Sequence, residues 1–423
     1  MPSTTTSLAI EELQVLTPAQ VSSLATEYGS PIFVYSAAAL LESARQTLDF
    51  RAPYGLTVRY AMKANPLAAI LRLFNGAGIQ IDASSGYEAH RAILAGVPPI
   101  HIMITSQQLP DDLSQLVKLG VQFNATSLHQ LDSYGRQFPG TDVSVRLNPG
   151  IGSGHNPKTN TGGPASSFGI WHEDIPQIKQ LAAAHRLRIT KIHTHIGAGT
   201  DPEVWHEAAR LTLKLVEHFA LVTTINLGGG FKVARMSTEE STDLQSISGI
   251  IAELLTRFAN RTGRRLRLEI EPGTFLVAGA GSLIGRVIDQ TSTGETGFTF
   301  LKLNLGLTEI MRPSLYGAQH PIITVNDAPT ESLPYVVVGH TCESGDLLTP
   351  EPGNPEIPAT RLLQRASIGD LVVIEGVGAY CASMSAKGYN SFPEAAEVIL
   401  SANGHAALAT RPFSLEDRLQ REL

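Results

Sequence analysis

The stretch LTVRYAMKANP, Leu56 to Pro66, puts a lysine where many folds carry out chemistry. Apolar and polar residues alternate from Leu56 to Met62, the period-two signature of a strand, and Asn65-Pro66 forces a turn before the helical run Leu67 to Phe74. Lys63 is therefore expected at the carboxyl end of a strand, beside a strand-to-helix turn, where α/β barrels and open α/β sheets keep their reactive groups. Burial lowers a lysine's pKa, and the neutral amine can then form a Schiff base with an aldehyde. The same position also suits a surface lysine that only caps a βα loop.

Three further groups stand at the ends of strand-like runs. In HTHIGAG (His193–Gly199), His193 and His195 are two apart, so on a strand both face the same side. Such a pair can bind a metal, stack a flat ring on a cofactor, or sit hydrogen-bonded inside a barrel; a metal would need more ligands than Glu269 and Glu271 supply, and none is expected. Gly228, Gly229 and Gly230 remove side chains so that backbone N–H groups can approach an anion, and phosphate sites favour the loops after the last two strands of a barrel. Glu271 closes another run, as a carboxylate at the same expected mouth.

The elements that must position these residues alternate regularly. Strand-like runs at Leu56–Lys63, Ile79–Ala83, Ile100–Thr105, Val121–Ala125, Asp142–Asn148, Arg188–Ile196, Leu221–Leu227 and Arg265–Glu271 are separated by helical segments, including Tyr87–Leu94 with a capping box from Ser85 and Glu88. Eight repeats over about 215 residues have the count and length of a (β/α)8 barrel; a doubly wound open sheet is the competitor. The run Pro149 to Ser167 is a long aperiodic loop that could cover the barrel mouth or be a surface insertion. Near residue 281 helical periodicity gives way to short β runs broken by Gly, Pro, Asn and Asp. The expected domains are a barrel at 37–281 and a mostly β domain from 282–423, with residues 1–36 as a preamble carrying a strand at Pro31–Tyr35.

Composition narrows the function. The 423 residues are 43% hydrophobic and 17% charged, ordinary for a globular enzyme, and the net charge of −7 with no Lys/Arg-rich run argues against a nucleic-acid surface. Two cysteines, Cys342 and Cys381, cannot form a disulfide framework. The start MPSTTTSLAI lacks a basic region and an apolar core, and no apolar run approaches the roughly 18 residues of a membrane span, so a cytoplasmic protein is expected.

A lysine for an aldehyde, a glycine cradle for a phosphate and a carboxylate for a ring nitrogen are together what pyridoxal 5'-phosphate (PLP) requires. With YAMKAN (Tyr60–Asn65), HTHIGAG, NLGGGF (Asn226–Phe231), EPG (Glu271–Gly273), MRPSLY (Met311–Tyr316), CESGD (Cys342–Asp346), GAY (Gly378–Tyr380) and YN (Tyr389–Asn390) in this order, the chain resembles the fold-type III PLP-dependent decarboxylases, most closely the diaminopimelate decarboxylase branch. The resemblance implies that Lys63 holds PLP, His195 stacks on its ring, Gly228–Gly230 and Tyr380 contact the phosphate, Glu271 pairs with the ring nitrogen, and Asp82 lies nearby. It further implies that Arg312 and Tyr316 bind a distal carboxylate and Glu343 a distal amine, while Cys342 protonates the carbanion. A homodimer with shared sites is implied, with the N-terminal segment joining the β domain, and conversion of meso-2,6-diaminopimelate to L-lysine and CO2. Two departures stand out: Thr274 replaces the arginine of the usual EPGR, and Ala198 the serine of the usual HIGS. Thr274 leaves room for a decarboxylase of ornithine, lysine or a related diamino acid. A PLP-binding protein without decarboxylase activity is a further alternative, against which the Cys342–Glu343 pair speaks.

Overall fold

Hydropathy that alternates along the chain becomes alternation between two faces of a closed sheet. The computed structural model describes residues 10–152, 161–195, 197, 199–325 and 331–422. The chain divides into two compact units, one of Leu41–Lys232 with Glu240–Leu276, the other of Met1–Leu40, Val233–Glu239 and Val277–Leu423.

After β1 (Ile32–Ser36), the first unit holds β2 (Leu56–Ala61), β3 (Gln80–Ala83), β4 (Ile102–Ile104), β5 (Gln122–Ala125), β6 (Asp142–Asn148), the two-residue β7 (Ile170–Trp171), β8 (Arg188–Thr194), β9 (Thr224–Asn226) and β10 (Arg267–Ile270). Pairing runs β5-β4-β3-β2-β10-β9-β8-β6, and β5 pairs with β6 to close a parallel barrel of eight strands, with β7 attached to the end of β6. The open sheet is excluded. Helices follow the strands, and their caps are local: Ser85 Oγ accepts the Glu88 N–H at 3.0 Å, but the Glu88 carboxylate takes the N–H of Ser84 rather than of Ser85, so only half of the expected box forms. Trp205 is buried, its ring stacked on Phe231 with centroids 4.4 Å apart, which anchors the helix Pro202–Val216 to the segment after β9.

Every second strand residue points into the barrel, and these positions are polar in layers. One layer is an ionic cluster: Lys191 Nζ lies 2.7 Å and Arg59 Nε 3.3 Å from the Glu269 carboxylate. Burial pushes Glu269 up, but Arg59 and Lys191 outweigh it and hold the group below the usual carboxylate range.

The second unit is built on β11 (Gly281–Ser292), β12 (Thr299–Leu303), β13 (Ile322–Val325), β14 (Ser332–Val338), the hairpin β15 (Pro350–Glu351) and β16 (Asn354–Pro358), β17 (Arg361–Gln364), β18 (Leu371–Glu375), β19 (Ala396–Leu400) and β20 (Ala406–Thr410). The main sheet runs β17-β14-β12-β11-β1-β19-β20, with β18 on β11 and β13 on β18. β1 lies between β11 and β19, so the N-terminal segment is part of this sheet. The helix Pro18–Tyr28, capped by Thr17, lays Val21, Leu24 and Ala25 on Val34, Ile284, Val373 and Val398. Among the described residues no helix is long and apolar enough to cross a membrane.

Candidate active site

Lys63 is not on the strand itself. β2 ends at Ala61 and Lys63 is the middle residue of a 3-10 turn, Met62–Ala64, with its side chain exposed rather than buried. The surrounding sequence explains the turn. The Tyr60 hydroxyl, buried against Phe74, donates to the Asn65 carbonyl at 2.8 Å, and Asn65 Oδ1 accepts the Leu67 N–H at 3.2 Å at the start of the next helix.

The other expected barrel residues gather at the same mouth. Asp82 is the last residue but one of β3, His193 lies in β8 with His195 just beyond it, Gly228–Gly230 follow β9, and Glu271 follows β10. Hydrogen bonds link the ends of β9 and β10: Asn226 Oδ1 accepts the Gly228 N–H at 2.8 Å, and Asn226 Nδ2 donates to Glu271 Oε1 at 2.5 Å. On the other side of Glu271, its Oε2 lies 3.4 Å from His193 Nε2. Asn124 sets the tautomer of that imidazole. Its Oδ1 accepts from Ser144 Oγ at 2.8 Å, so its Nδ2 donates to His193 Nδ1 at 2.6 Å, which leaves the ring proton on Nε2, toward Glu271. With Nδ1 engaged, His193 is a poor metal ligand.

The charges at the mouth are held out of water. Burial pushes Asp82 well above the carboxylate range, and Glu271 raises it further, against the opposing charge of Lys63. Burial also raises Glu271, opposed by the Asn226 hydrogen bond and Arg146. Burial, Arg146 and Lys63 keep both His193 and His195 neutral. Arg146, on β6 and buried, lies over the Phe168 ring at 5.1 Å.

These residues fit PLP. Asp82 Oδ1, Arg146 Nη2 and His195 Nδ1 are buried without a hydrogen-bond partner among the described residues, an arrangement that calls for a bound polar group. An ionised Glu271 needs a cation beside it, and a protonated ring nitrogen supplies one. The glycine loop is a true close approach: a Cβ on Gly228, whose φ is +70°, would fall 2.6 Å from the His195 ring, and one on Gly229 would fall 2.1 Å from the Glu271 carbonyl oxygen.

The remaining expected residues belong to the β-rich unit. Arg312 and Tyr316 are the ends of a five-residue helix, not of a β segment, because Pro313 suits a helical first turn and Gly317 adopts the left-handed stop. The Arg312 guanidinium stands 5.8 Å from the Tyr316 ring centre. Cys342 and Glu343 are exposed on a loop held from below by Asp346. The buried Asp346 carboxylate accepts the Leu307 N–H at 2.7 Å and the Thr341 N–H and hydroxyl at 3.0 and 2.7 Å. Tyr380 has a left-handed backbone, φ +56°, a strained conformation that clusters at functional sites. Thr274, half-buried, opens the short helix Thr274–Val277. Ala198 and residues 153–160 of the long loop lie outside the described residues; the loop's inner end is tied by Asn148, whose Oδ1 accepts the Gly163 N–H at 2.9 Å.

Arg146, Asn124, Asn226 and Asp346 were not singled out from the sequence. Parity was the available signal: Asn226 is two before Gly228, and Arg146 lies on the inward parity of β6 with Ser144 and Asn148. Asp346 stood inside a quoted motif without a role.

Comparison with known proteins agrees with this geometry. Residues 39–278 match the family described as pyridoxal-dependent decarboxylase, pyridoxal binding domain. The diaminopimelate decarboxylase of Escherichia coli K12 is 35% identical over 96% of this chain and 97% of its own, and that of Streptomyces coelicolor is 35% identical over 96% and 92%. A solved diaminopimelate decarboxylase superposes with a TM-score of 0.89 at 35% identity, covering 96% of this chain and 97% of its own. The Helicobacter pylori enzyme complexed with L-lysine superposes at 0.83 with 26% identity, covering 95% and 98%. A barrel whose mouth gathers Lys63, Glu271 and a glycine loop, with family agreement along nearly its whole length, places this chain among the pyridoxal-dependent decarboxylases.

Proposed function

We propose that the protein decarboxylates meso-2,6-diaminopimelate to L-lysine and CO2 with PLP as cofactor. The observation that carries the reading is the Glu271–Asn226–Gly228 chain at the mouth that also holds Lys63: it offers a ring-nitrogen partner and a close-approach loop braced by one asparagine. The named relatives support the substrate.

When bound, PLP supplies an aldehyde for an amino group and a ring that takes up the electron pair left by departing CO2. Lys63 would hold the aldehyde and give it up to the substrate's amine. Glu271 would keep a proton on the ring nitrogen; Asn226, by donating to Oε1, leaves Oε2 for that task and for His193. His195 would stack on the ring face, Asp82 would lie beside it, and Gly228, Gly229, Gly230 and Tyr380 would take the phosphate. Arg312 and Tyr316 would bind the distal carboxylate and Glu343 the distal amine. Cys342 would deliver a proton to the carbon that has lost CO2. We propose a cytoplasmic homodimer in which the Cys342–Asp346 loop serves the partner subunit's site; the exposure of Cys342 and Glu343 on a firmly anchored loop supports this.

Thr274 favours a second reading, a decarboxylase of ornithine or lysine, since a hydroxyl cannot replace a bidentate guanidinium on a carboxylate. A substrate panel with CO2 release as readout tests both. Turnover of meso-diaminopimelate is expected, and CO2 from ornithine or lysine but not from meso-diaminopimelate would overturn the first reading.

A further inference from the structure

Inside the barrel, below its mouth, lie three ionic groups that the proposed chemistry does not use. Glu269 on β10 and Arg59 on β2 are buried, and Lys191 on β8 is nearly so. Lys191 Nζ reaches both Glu269 oxygens, at 2.7 and 2.8 Å, and Arg59 Nε reaches Oε2 at 3.3 Å. Gln122 takes a further N–H of Arg59 at 2.9 Å. A buried ion cluster of this kind is a weak source of stability, because apolar residues of similar volume avoid its desolvation cost. Its position gives it another use.

Glu269 is the register partner of Asn226, and Glu271 follows it by two residues, on the same face. The Asn226 side-chain amide stands between the two carboxylates: its Nδ2 donates to Glu271 Oε1 at 2.5 Å and lies 3.4 Å from Glu269 Oε2. Carboxylates this close raise each other's affinity for a proton. Arg59 and Lys191 keep Glu269 ionised in spite of its burial, so its negative charge bears on Glu271. Burial raises Glu271, and Glu269 raises it further, against the Asn226 hydrogen bond, Arg146 and Lys63. The other groups facing Glu271 add no charge of their own: burial holds Asp82 well above the carboxylate range and keeps His193 neutral. Burial pushes Lys191 down; Glu269 opposes this, and the charge of Glu271 reaches Lys191 as well.

We propose that Glu269 and Lys191 are positioning residues that act on the cofactor through Asn226 and Glu271: the charge of Glu269 strengthens, and that of Lys191 weakens, the hold on the proton of the PLP ring nitrogen. This rests on the function proposed above, which sets that nitrogen beside Glu271. The two residues touch each other and not the cofactor, so their opposite charges predict opposite effects.

The experiment compares PLP with 1-deaza-PLP, in which a C–H replaces the ring nitrogen, by absorbance titration of the cofactor-free full chain. At a separation of about 6–8 Å and an effective dielectric of about 20, a unit charge moves an ionisation by roughly 1–2 pKa units, a factor of about 10–100. Glu269→Gln should therefore cut the preference for PLP over the deaza compound about 10- to 100-fold. Lys191→Met should raise it, since Arg59 remains on Glu269 in that variant. Glu269→Gln combined with Lys191→Met removes one charge of each sign and should return the preference to within about threefold of wild type. A purely structural role would weaken both compounds alike and leave the double variant worse than either single one. That result, or a preference unmoved in Glu269→Gln, overturns the inference. If Glu269→Gln does not fold, Lys191→Met decides: a preference that rises supports the inference, and one that stays or falls overturns it. The titration reads binding alone, so failure of wild type to release CO2 from meso-diaminopimelate would sink the proposed function and leave this comparison standing.

Discussion

Replacing Gly229 with alanine tests the architecture of the mouth at its tightest point. The added Cβ would sit 2.1 Å from the Glu271 carbonyl oxygen and 3.0 Å from its carbonyl carbon. Both are backbone atoms, so no rotamer change relieves the contact. Ordinary contact begins near 3.4 Å, so the end of β10 must move by more than 1 Å. That movement has no free direction: the Glu271 N–H is bonded to the Gly228 carbonyl at 2.7 Å, and the Pro272 carbonyl to the Ala61 N–H at 3.2 Å, one turn before Lys63. Overpacking of this kind costs about 1–3 kcal/mol, and a reactive group displaced by about 1 Å loses roughly 100-fold in rate. We expect Gly229→Ala to lower kcat for decarboxylation about 100-fold and to weaken PLP about tenfold or more, measured by CO2 release and by cofactor titration. Gly249→Ala is the control: it lies in the helix Leu244–Thr262 with nothing within 4 Å of an added Cβ, and should leave kinetics intact while stabilising the helix by roughly 1 kcal/mol. A Gly229→Ala protein with kcat and PLP affinity within about twofold of wild type would refute the reasoning.

Lys63→Ala should prevent covalent capture: after borohydride reduction, mass spectrometry should find the cofactor on the wild-type peptide containing Lys63 and not on the variant chain. Asp346→Asn keeps the size of the side chain but can turn an amide N–H toward the Thr341 N–H, so it should cost about 1.5–3 kcal/mol and lower kcat while PLP binding persists; unchanged kcat would show that the Cys342 loop needs no such anchor. Glu309 offers a pH test. Burial pushes its carboxyl up to about 7, although Thr308 and the Gly306 N–H bond it. Because the folded value is the raised one, stability is full below about 4.5 and is lost as pH rises toward 7 and beyond, so Glu309→Gln should match wild type at about pH 4 and exceed it by roughly 1–3 kcal/mol at about pH 8 in denaturant midpoints. An advantage that is equal at both pH values would mean that the carboxyl is not protonated in the native fold.

Much of this molecule is legible in one dimension. The eight barrel strands appear as eight alternating runs because each strand's faces differ in a period of two residues, and Asp142–Asn148 is observed with the expected bounds. Lys63, Gly228–Gly230 and Glu271 were visible because the ends of strands are marked by turn residues. Contacts between distant strands left no such mark. Asn226 reaches Glu271 across 45 positions, and Asn124 reaches His193 across 69, so neither spacing carries a period that could be read. The helix Arg312–Tyr316 was missed because five residues with a proline have no periodicity to show. Lys63 itself lies on a 3-10 turn rather than on β2, since the Tyr60 and Asn65 hydrogen bonds close the chain there. The sequence determined which residues could do chemistry and the order of the elements that carry them. Only the tertiary structure decided which buried polar atoms lack a partner among the described residues, Asp82 Oδ1 and Arg146 Nη2 among them, because burial and pairing are properties of neighbours that the chain brings together from far apart.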